Sequence, residues 1–415
     1  MGTVFQFQKL CGGGVARERP HHHQKKEMHM LKTYFQGTHR VRSPHDTLAK
    51  ISPRTTEFGI TRIANVTGLD VLEIPVYTAI RPLGHTLSVT QGKGIHLIDA
   101  QVSATMEAIE LWHIENAVPD TAVESTSAAE LGVPYRISDI AASSGGIGTD
   151  RMPLDWIIAS SVSHDDTTFV PRDAVHMDWR ISKRWTPRVV SSSSNGLASG
   201  NTRNEACTHA LLEIIERDCT TALSNLPVAD RSYVEPSTVT DEDCQWLIDK
   251  LERAGSWFEL VVAPSRWPVW CFACYLWLPD MPVLAVGSGA HTEPGIALSR
   301  AITEAAQSRL TTIVGTRDDI TSAAYRKPGG TAPVAPSKCG KSALSWQRLL
   351  DMHTTHHFDN DASEAAWLEH EITTKSGIRP LVVDLAVESE FSVVKILCPG
   401  LKFHTRHQIR RPGAS

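Results

Sequence analysis

Three short stretches of the chain, SATMEAIE, HALLEIIE and RAITEAAQ, set polar residues at one repeated spacing. Ser103, Glu107 and Glu110; His209, Glu213 and Glu216; and Arg300, Glu304 and Gln307 each fall at i, i+4 and i+7. On a helical period of about 3.6 residues these positions share one narrow face. Glu205 lies one step earlier on the second stripe. The residues between are Ala, Met, Ile and Leu almost all round, so the other sides of these helices should be buried. A carboxylate beside a core needs a cation or donors, and converging carboxylates repel unless a metal or arginines neutralise them. Carboxylate oxygens are hard ligands that suit Mg2+ rather than zinc or copper. The plainer alternative is that each stripe faces solvent, or pairs with Arg217, Arg300 and Arg309 in structural salt bridges. The same spacing on three helices favours convergence on one site.

Each stripe follows a segment containing glycine: QGKG at Gln91 to Gly94, SNGLASGNT at Ser194 to Thr202 and GSGAHTEPG at Gly287 to Gly295. Backbone N–H groups at such helix entries suit phosphate, and Lys93 adds a point charge. Neither G-x-x-x-x-G-K-[ST] nor a G-x-G-x-x-G unit with its acidic partner is present, so a nucleotide would bind by an unconventional route. Carboxylate-held Mg2+ beside phosphate-binding loops implies chemistry at a nucleotide's phosphates. No H-E-x-x-H, G-x-S-x-G or kinase catalytic loop competes with that reading.

The elements that must position these residues come in blocks. Short apolar runs between turn clusters, from GITRIANVTGLD to LSVTQGKG, precede a helix expected from about Leu97 to Asn116. A second block, DWIIASSVS and TTFVPRDAVHMDW, leads to the second stripe, and FELVVAPS, PVWCFACYLWL and PVLAVGSGAH lead to the third. Strands first and helix after predict an α+β fold. A final piece carries a helix near SEAAWLEHEITTKSG and strands near PLVVDLA and SVVKILCPG. Residues 1–31, with the triple His at His21 to His23, read as a disordered extension, 32–405 as the folded domain, and 406–415 as a short basic tail. Within the domain, residues 316–344 are rich in Gly, Pro, Ser and Lys and read as a mobile loop.

Composition excludes several classes. A chain of 415 residues with 41% hydrophobic content can bury a substantial core, and a formal charge of −5 gives no broad basic footprint for nucleic acid. No apolar run approaches the roughly 20 residues that span a bilayer, and no signal-peptide core begins the chain. Eight scattered cysteines suit a reducing compartment, so the expected location is cytoplasmic. Cys271 and Cys274 form a lone C-x-x-C in an expected buried strand, where alternation would turn them to opposite faces.

The segments SNGLASGNTRNEA…LLEIIERD, QGKG…SATMEAIE and ALSRAITEAAQSR resemble, in order and spacing, the three nucleotide-site segments of the YcaO superfamily, across roughly residues 36 to 400. GTHRVRSPHDTLAKISPRTTEFGITRIANVTGLD further resembles the stand-alone branch found beside TfuA proteins. The resemblance implies a YcaO-type fold of several strand-plus-helix subdomains whose helices converge on a nucleotide site. It implies an ATP- and Mg2+-dependent enzyme that activates a backbone amide of a ribosomally made peptide, giving an azoline, an amidine or a thioamide. Carried onto this chain, Glu107, Glu110, Glu213, Glu216 and Glu304 become expected Mg2+ ligands, with Gln307 completing the site. Lys93, Ser103, Asn204, His209, Arg217 and Gln307 become expected ATP contacts. The expected partners are a precursor peptide, a TfuA-like or leader-binding protein and a second copy of the chain. Azoline-forming relatives typically carry a proline-rich tail, whereas this sequence ends in RRPGAS, which tilts the expectation toward thioamides. A cyclodehydratase is the alternative. A silent accessory factor for ribosomal protein methylthiolation is the other, and it would be expected to lose the carboxylates that this chain retains.

Overall fold

The computed structural model describes residues 30–403, except 141–147, 164–165, 181–188, 191, 318, 321–324, 326–333 and 338–342. The triple His, the basic tail and most of the expected loop at 316–344 lie outside the described residues. The two ends of the expected loop are described: Gly315 caps the preceding helix with φ +64°, and Leu344 pairs with Val234.

In chain order, β1 (Thr33–Phe35) and β2 (Thr38–Arg40) form a hairpin followed by α1 (Pro44–Ile51). Strands β3 (Arg62–Asn65), β4 (Val76–Ile80) and β5 (Val89–Lys93) lead into α2 (Leu97–Asn116), the helix with the expected bounds. Strands β6 (Val123–Ser127), β7 (Pro153–Ser160), β8 (Thr167–Pro171) and β9 (Leu197–Gly200) precede α3 (Arg203–Asn225). Then come β10 (Ser232–Tyr233), α4 (Glu242–Arg253), β11 (Trp257–Val262), β12 (Trp270–Trp277), β13 (Ala285–His291) and α5 (Pro294–Val314). The chain closes with α6 (Trp346–Met352), α7 (Asp361–Ser376), β14 (Leu381–Val387) and β15 (Ser392–Leu397). Strands and helices segregate as an α+β protein. No helix of the described residues is long and apolar enough to cross a membrane.

Three antiparallel sheets run β3-β4-β5, β6-β7-β14-β15-β9 with β8 on β7, and β10-β11-β12-β13. The strand before each striped helix, β5, β9 or β13, therefore ends its sheet. An open strand edge invites unwanted pairing. Here each edge strand is covered by the helix that follows it.

The glycines explain how closely they meet. A Cβ on Gly92 of β5 would stand 2.0 Å from the Ala104 nitrogen, and one on Gly287 of β13 2.2 Å from that of Ala305. On Gly200 of β9 it would stand 2.4 Å from the Ala206 nitrogen. This corrects the sequence reading of the glycine segments as phosphate loops. Gln91–Lys93, Leu197–Gly200 and Gly287–His291 are strand residues, and glycine is required there so that strand backbone can lie against helix backbone.

Three cores follow, one around each striped helix. Ala104, Ala108, Ile109 and Ile114 of α2 pack with Trp156 and Val393; Ala206, Ala210, Leu211 and Ile215 of α3 with Tyr275 and Leu368; Ala297, Ala301, Ile302 and Ala305 of α5 with Leu247 and Phe272. Burying each Ile or Leu contributes about 1.5–3 kcal/mol, which offsets keeping a polar stripe between the cores. Cys271 and Cys274 fall in different cores on the two faces of β12, as strand alternation predicts.

Candidate functional site

The stripes meet, and they close a ring. In the first helix Glu110 accepts from Ser199 of β9, at 2.8 Å from the backbone nitrogen and 2.5 Å from Oγ. In the second, Glu216 accepts from Ser288 Oγ of β13 at 2.5 Å and from the Ala290 nitrogen at 3.1 Å. In the third, Gln307 Nε2 donates to the Gln91 carbonyl of β5 at 3.1 Å. Every i+7 residue thus grips the edge strand of the next unit, and the third returns to the first.

The middle layer stays partly exposed. Glu107 accepts from the nitrogen of Gln91 at 3.3 Å, and Glu304 from that of Ser288, in the same strand-to-helix relation. Lys93 Nζ lies 2.6 Å from Glu304 Oε2, with the two side chains 25% and 26% exposed. Arg217 lies 3.5 Å from Glu213 Oε1, their side chains 21% and 26% exposed. These groups are enclosed by protein but still wetted, as in the floor of a cleft. Residues one turn earlier, Ser103, His209 and Arg300, form a third layer, also half-buried. Two hollows elsewhere, one beside Lys395 and Cys398 and a shallow open one between Ile95 and Trp246, contain none of the striped carboxylates.

The carboxylates strain against one another. Burial, with Glu107 and Glu213 adding repulsion, pushes Glu110 up to about 8. Burial, with Glu216 adding, raises Glu213 to about 7 against the pull of Arg217. Burial raises Glu107 and Glu216 as well. Glu304 goes the other way: burial disfavours its charge, but Lys93 and Arg217 outweigh it and hold the carboxylate below its ordinary range. Arg217 is raised despite burial because Glu213, Glu216 and Glu304 surround it, and its Nε is buried without a partner. The middle layer therefore concentrates negative charge with two cations set into it.

Among the described residues no three His, Cys, Asp or Glu side chains cluster tightly enough to cage an ion by themselves. That suits Mg2+ held beside phosphate, which takes one or two carboxylates and fills its remaining positions with phosphate oxygens and water.

A family model described as YcaO cyclodehydratase, ATP- and Mg2+-binding, matches residues 91–402. The chain belongs to the YcaO family. An uncharacterised protein of Mycobacterium tuberculosis is 35% identical over 390 residues, covering 91% of this chain and 85% of that protein. An uncharacterised protein in the tfuA 3′ region of Rhizobium leguminosarum bv. trifolii is 33% identical over 379 residues, covering 88% of each. The fold matches the structure of YcaO from Methanopyrus kandleri bound with AMPPCP and Mg2+, at a TM-score of 0.66 and 21% identity over 90% of this chain and 95% of that one.

Within this YcaO chain one expected site residue needs correction. Asn204 lies two and a half helical turns before Glu213, on the opposite face of α3, and shares that face with Thr208, which bonds the Asp361 carbonyl at 3.2 Å, so it is not brought to the ring. Glu205 is on the stripe but is fully engaged: Asn201 and the Val41 nitrogen donate to it, and Arg40 Nε lies 3.5 Å away. Other residues that border the site carry no local signal. Arg40 reaches His209 from the hairpin, and Arg317, just past α5, is the cation that acts most on Glu107. Lys395 is buried in β15, where burial lowers it to about 8 against the pull of Glu213. Its ammonium donates to the Ser193 and Asn195 carbonyls, at 2.6 and 2.5 Å, fixing the approach to β9.

The raised carboxylates make stability depend on pH. Glu110 at about 8, Glu213 at about 7 and Asp361 at about 7, the last raised by burial and Glu205, keep protons in the folded protein that the unfolded chain has already released. Stability therefore falls as pH rises through those values. His209 and His291, lowered by burial, act oppositely only as pH falls below their ordinary 6.5. We expect the Tm of the ligand-free protein to drop from about pH 6.5 to about pH 8, and the drop to be smaller in Glu110→Gln. Thermal melts across that range with an unchanged or steeper slope in the variant would contradict the assignment.

Proposed function

We propose that this YcaO chain activates a backbone amide of a ribosomally made peptide by ATP- and Mg2+-dependent O-phosphorylation, and that it forms thioamides with a TfuA-like partner. The observation that carries the reading is the middle layer, in which Glu107, Glu213 and Glu304 from three separate units meet beside Lys93 and Arg217. Glu107, Glu213 and Glu304 would each offer an oxygen to Mg2+, one or two to an ion, with phosphate oxygens and water completing its coordination and Glu110 and Glu216 beside them. Bound Mg2+ supplies charge neutralisation at phosphate oxygens. Lys93 and Arg217 both act on Glu304 and could bind and orient the phosphates, with Ser103, His209 and Gln307 on the same stripes contributing further contacts. The buried ring braces fix these groups before any ligand arrives, which is what positioning catalysis requires.

The relative in the tfuA 3′ region supports the thioamide reading. The family's description as a cyclodehydratase supports a second one, azoline formation from a peptide side chain. Retention of every striped carboxylate speaks against a silent accessory role. The two chemistries separate by mass. The protein is incubated with ATP, Mg2+, a TfuA-like protein and precursor peptides from the same genome, with and without sulfide. Sulfur-for-oxygen exchange that needs sulfide and ATP supports thioamidation, and loss of water without sulfide supports azoline formation. An unchanged peptide and no peptide-dependent ATP hydrolysis would contradict both.

A further inference from the structure

Lys395 stands in the middle of β15 at 1% exposure, and its ammonium has three protons to place. Two go to the Ser193 and Asn195 carbonyls, the first at 2.6 Å. No carboxylate pairs with it among the described residues, so the third proton and the charge itself are left over. A buried cation without a counter-ion is costly. Asn195 adds a second unmet demand: it is 9% exposed, and its side-chain Oδ1 is buried without a hydrogen-bond partner.

Both residues line one hollow of about 30 Å3. That is room for one or two water-sized species, and too little for phosphate, a nucleotide or a peptide. The wall is mostly apolar, built from Ile140, Ala174, Ile214, Ile396 and Leu401. Two other charged residues border it. Asp139 is engaged by the Arg136 nitrogen at 3.3 Å and by Ser138 Oγ at 3.5 Å, and Lys402 adds positive charge at the exposed rim. Ile214 follows Glu213 in α3, so the hollow lies beside the stretch of helix that carries this middle-layer carboxylate.

These walls select their occupant. It must accept from the ammonium, donate to Asn195 Oδ1, match a single positive charge and shed its water cheaply among apolar side chains. Water does the first two and leaves the charge uncompensated. A halide has no proton to donate, and hydroxide is too strongly hydrated to leave water cheaply. Hydrosulfide, one polarisable heavy atom with one S–H, meets all four demands.

We infer that the hollow between Lys395 and Asn195 is a binding site for hydrosulfide, placed beside the carboxylates of the middle layer. Its use as the sulfur source of a thioamide rests on the function proposed above; the binding itself does not.

The test begins with crystals of the full chain grown in concentrated sodium bromide, whose anion resembles hydrosulfide in size and charge and scatters anomalously, and then soaked in sodium hydrosulfide. A bromide peak is expected within hydrogen-bond distance of Lys395 Nζ, and the soak should remove it. Asn195→Asp keeps the shape of the side chain and gives the ammonium a carboxylate of its own, so this variant should fold and exclude bromide; Lys395→Met should exclude it too. Water alone in the hollow of the wild type, or bromide that hydrosulfide does not displace, would overturn the proposal. In the assay with ATP, Mg2+, precursor peptide and a TfuA-like protein, Asn195→Asp should raise the KM for hydrosulfide at least about tenfold and leave the KM for Mg2+-ATP unchanged. An unchanged KM for hydrosulfide would overturn the proposal while leaving thioamide formation standing. Hydrosulfide bound at Lys395 in a protein that puts sulfur into no peptide would do the reverse.

Discussion

Glu213→Gln is expected to lower peptide-dependent ATP turnover on the order of 10²–10³-fold while the protein folds normally. The substitution keeps the shape of the side chain and removes one negative charge from the layer where Glu107, Glu213 and Glu304 meet. Because burial already raises this carboxyl to about 7, the fold gains nothing from its charge. Arg217 loses a partner at 3.5 Å but remains beside Glu216 and Glu304. Tm should therefore shift by no more than about 4 °C. Turnover assays on the variant, with circular dichroism melts alongside, check both halves. Normal turnover would remove Glu213 from the site, and an unfolded variant would mean that its charge is structural.

Gly287→Val is expected to abolish folding. Its Cβ would meet the Ala305 nitrogen at 2.2 Å and the Ala301 carbonyl oxygen at 2.4 Å, both helix backbone atoms that cannot move aside as a side chain would. Separating β13 from α5 would also pull Ser288 from Glu216 and break the ring. The loss should be at least about 3 kcal/mol. Gly68→Ala is the control, because nothing lies within 4 Å of a Cβ there and the change should be nearly neutral. Soluble yield and thermal melts of the two variants decide it. A Gly287→Val protein that melts like the wild type would mean that strand and helix do not touch as described.

The sequence made the helices legible because their stripes repeat. Leu97 to Asn116 emerges with its structural bounds, and the shared spacing of the three stripes anticipates their convergence. Strand alternation likewise sorts Cys271 and Cys274 into separate cores. What the sequence concealed is non-local. Glycine before a helix reads as a turn or a phosphate loop, since its lack of a side chain says nothing about the backbone it must approach. Gly92, Gly200 and Gly287 are explained only by the helix lying against each strand. The bonds from Glu110 to Ser199 and from Gln307 to Gln91 depend on which unit neighbours which, and no local pattern encodes that. Arg40 arrives from a hairpin with little periodicity of its own, and Lys395 sits in a short strand where alternation would not single it out as buried.

We hold that three helices from three sheets build one Mg2+-nucleotide site. Calorimetric titration with a nonhydrolysable ATP analogue, with and without Mg2+, on the wild type and on Glu213→Gln tests it most directly. Binding is expected to require Mg2+ in the wild type and to be lost in the variant. Binding of equal strength in all four titrations, or no binding by the folded wild type, would contradict it.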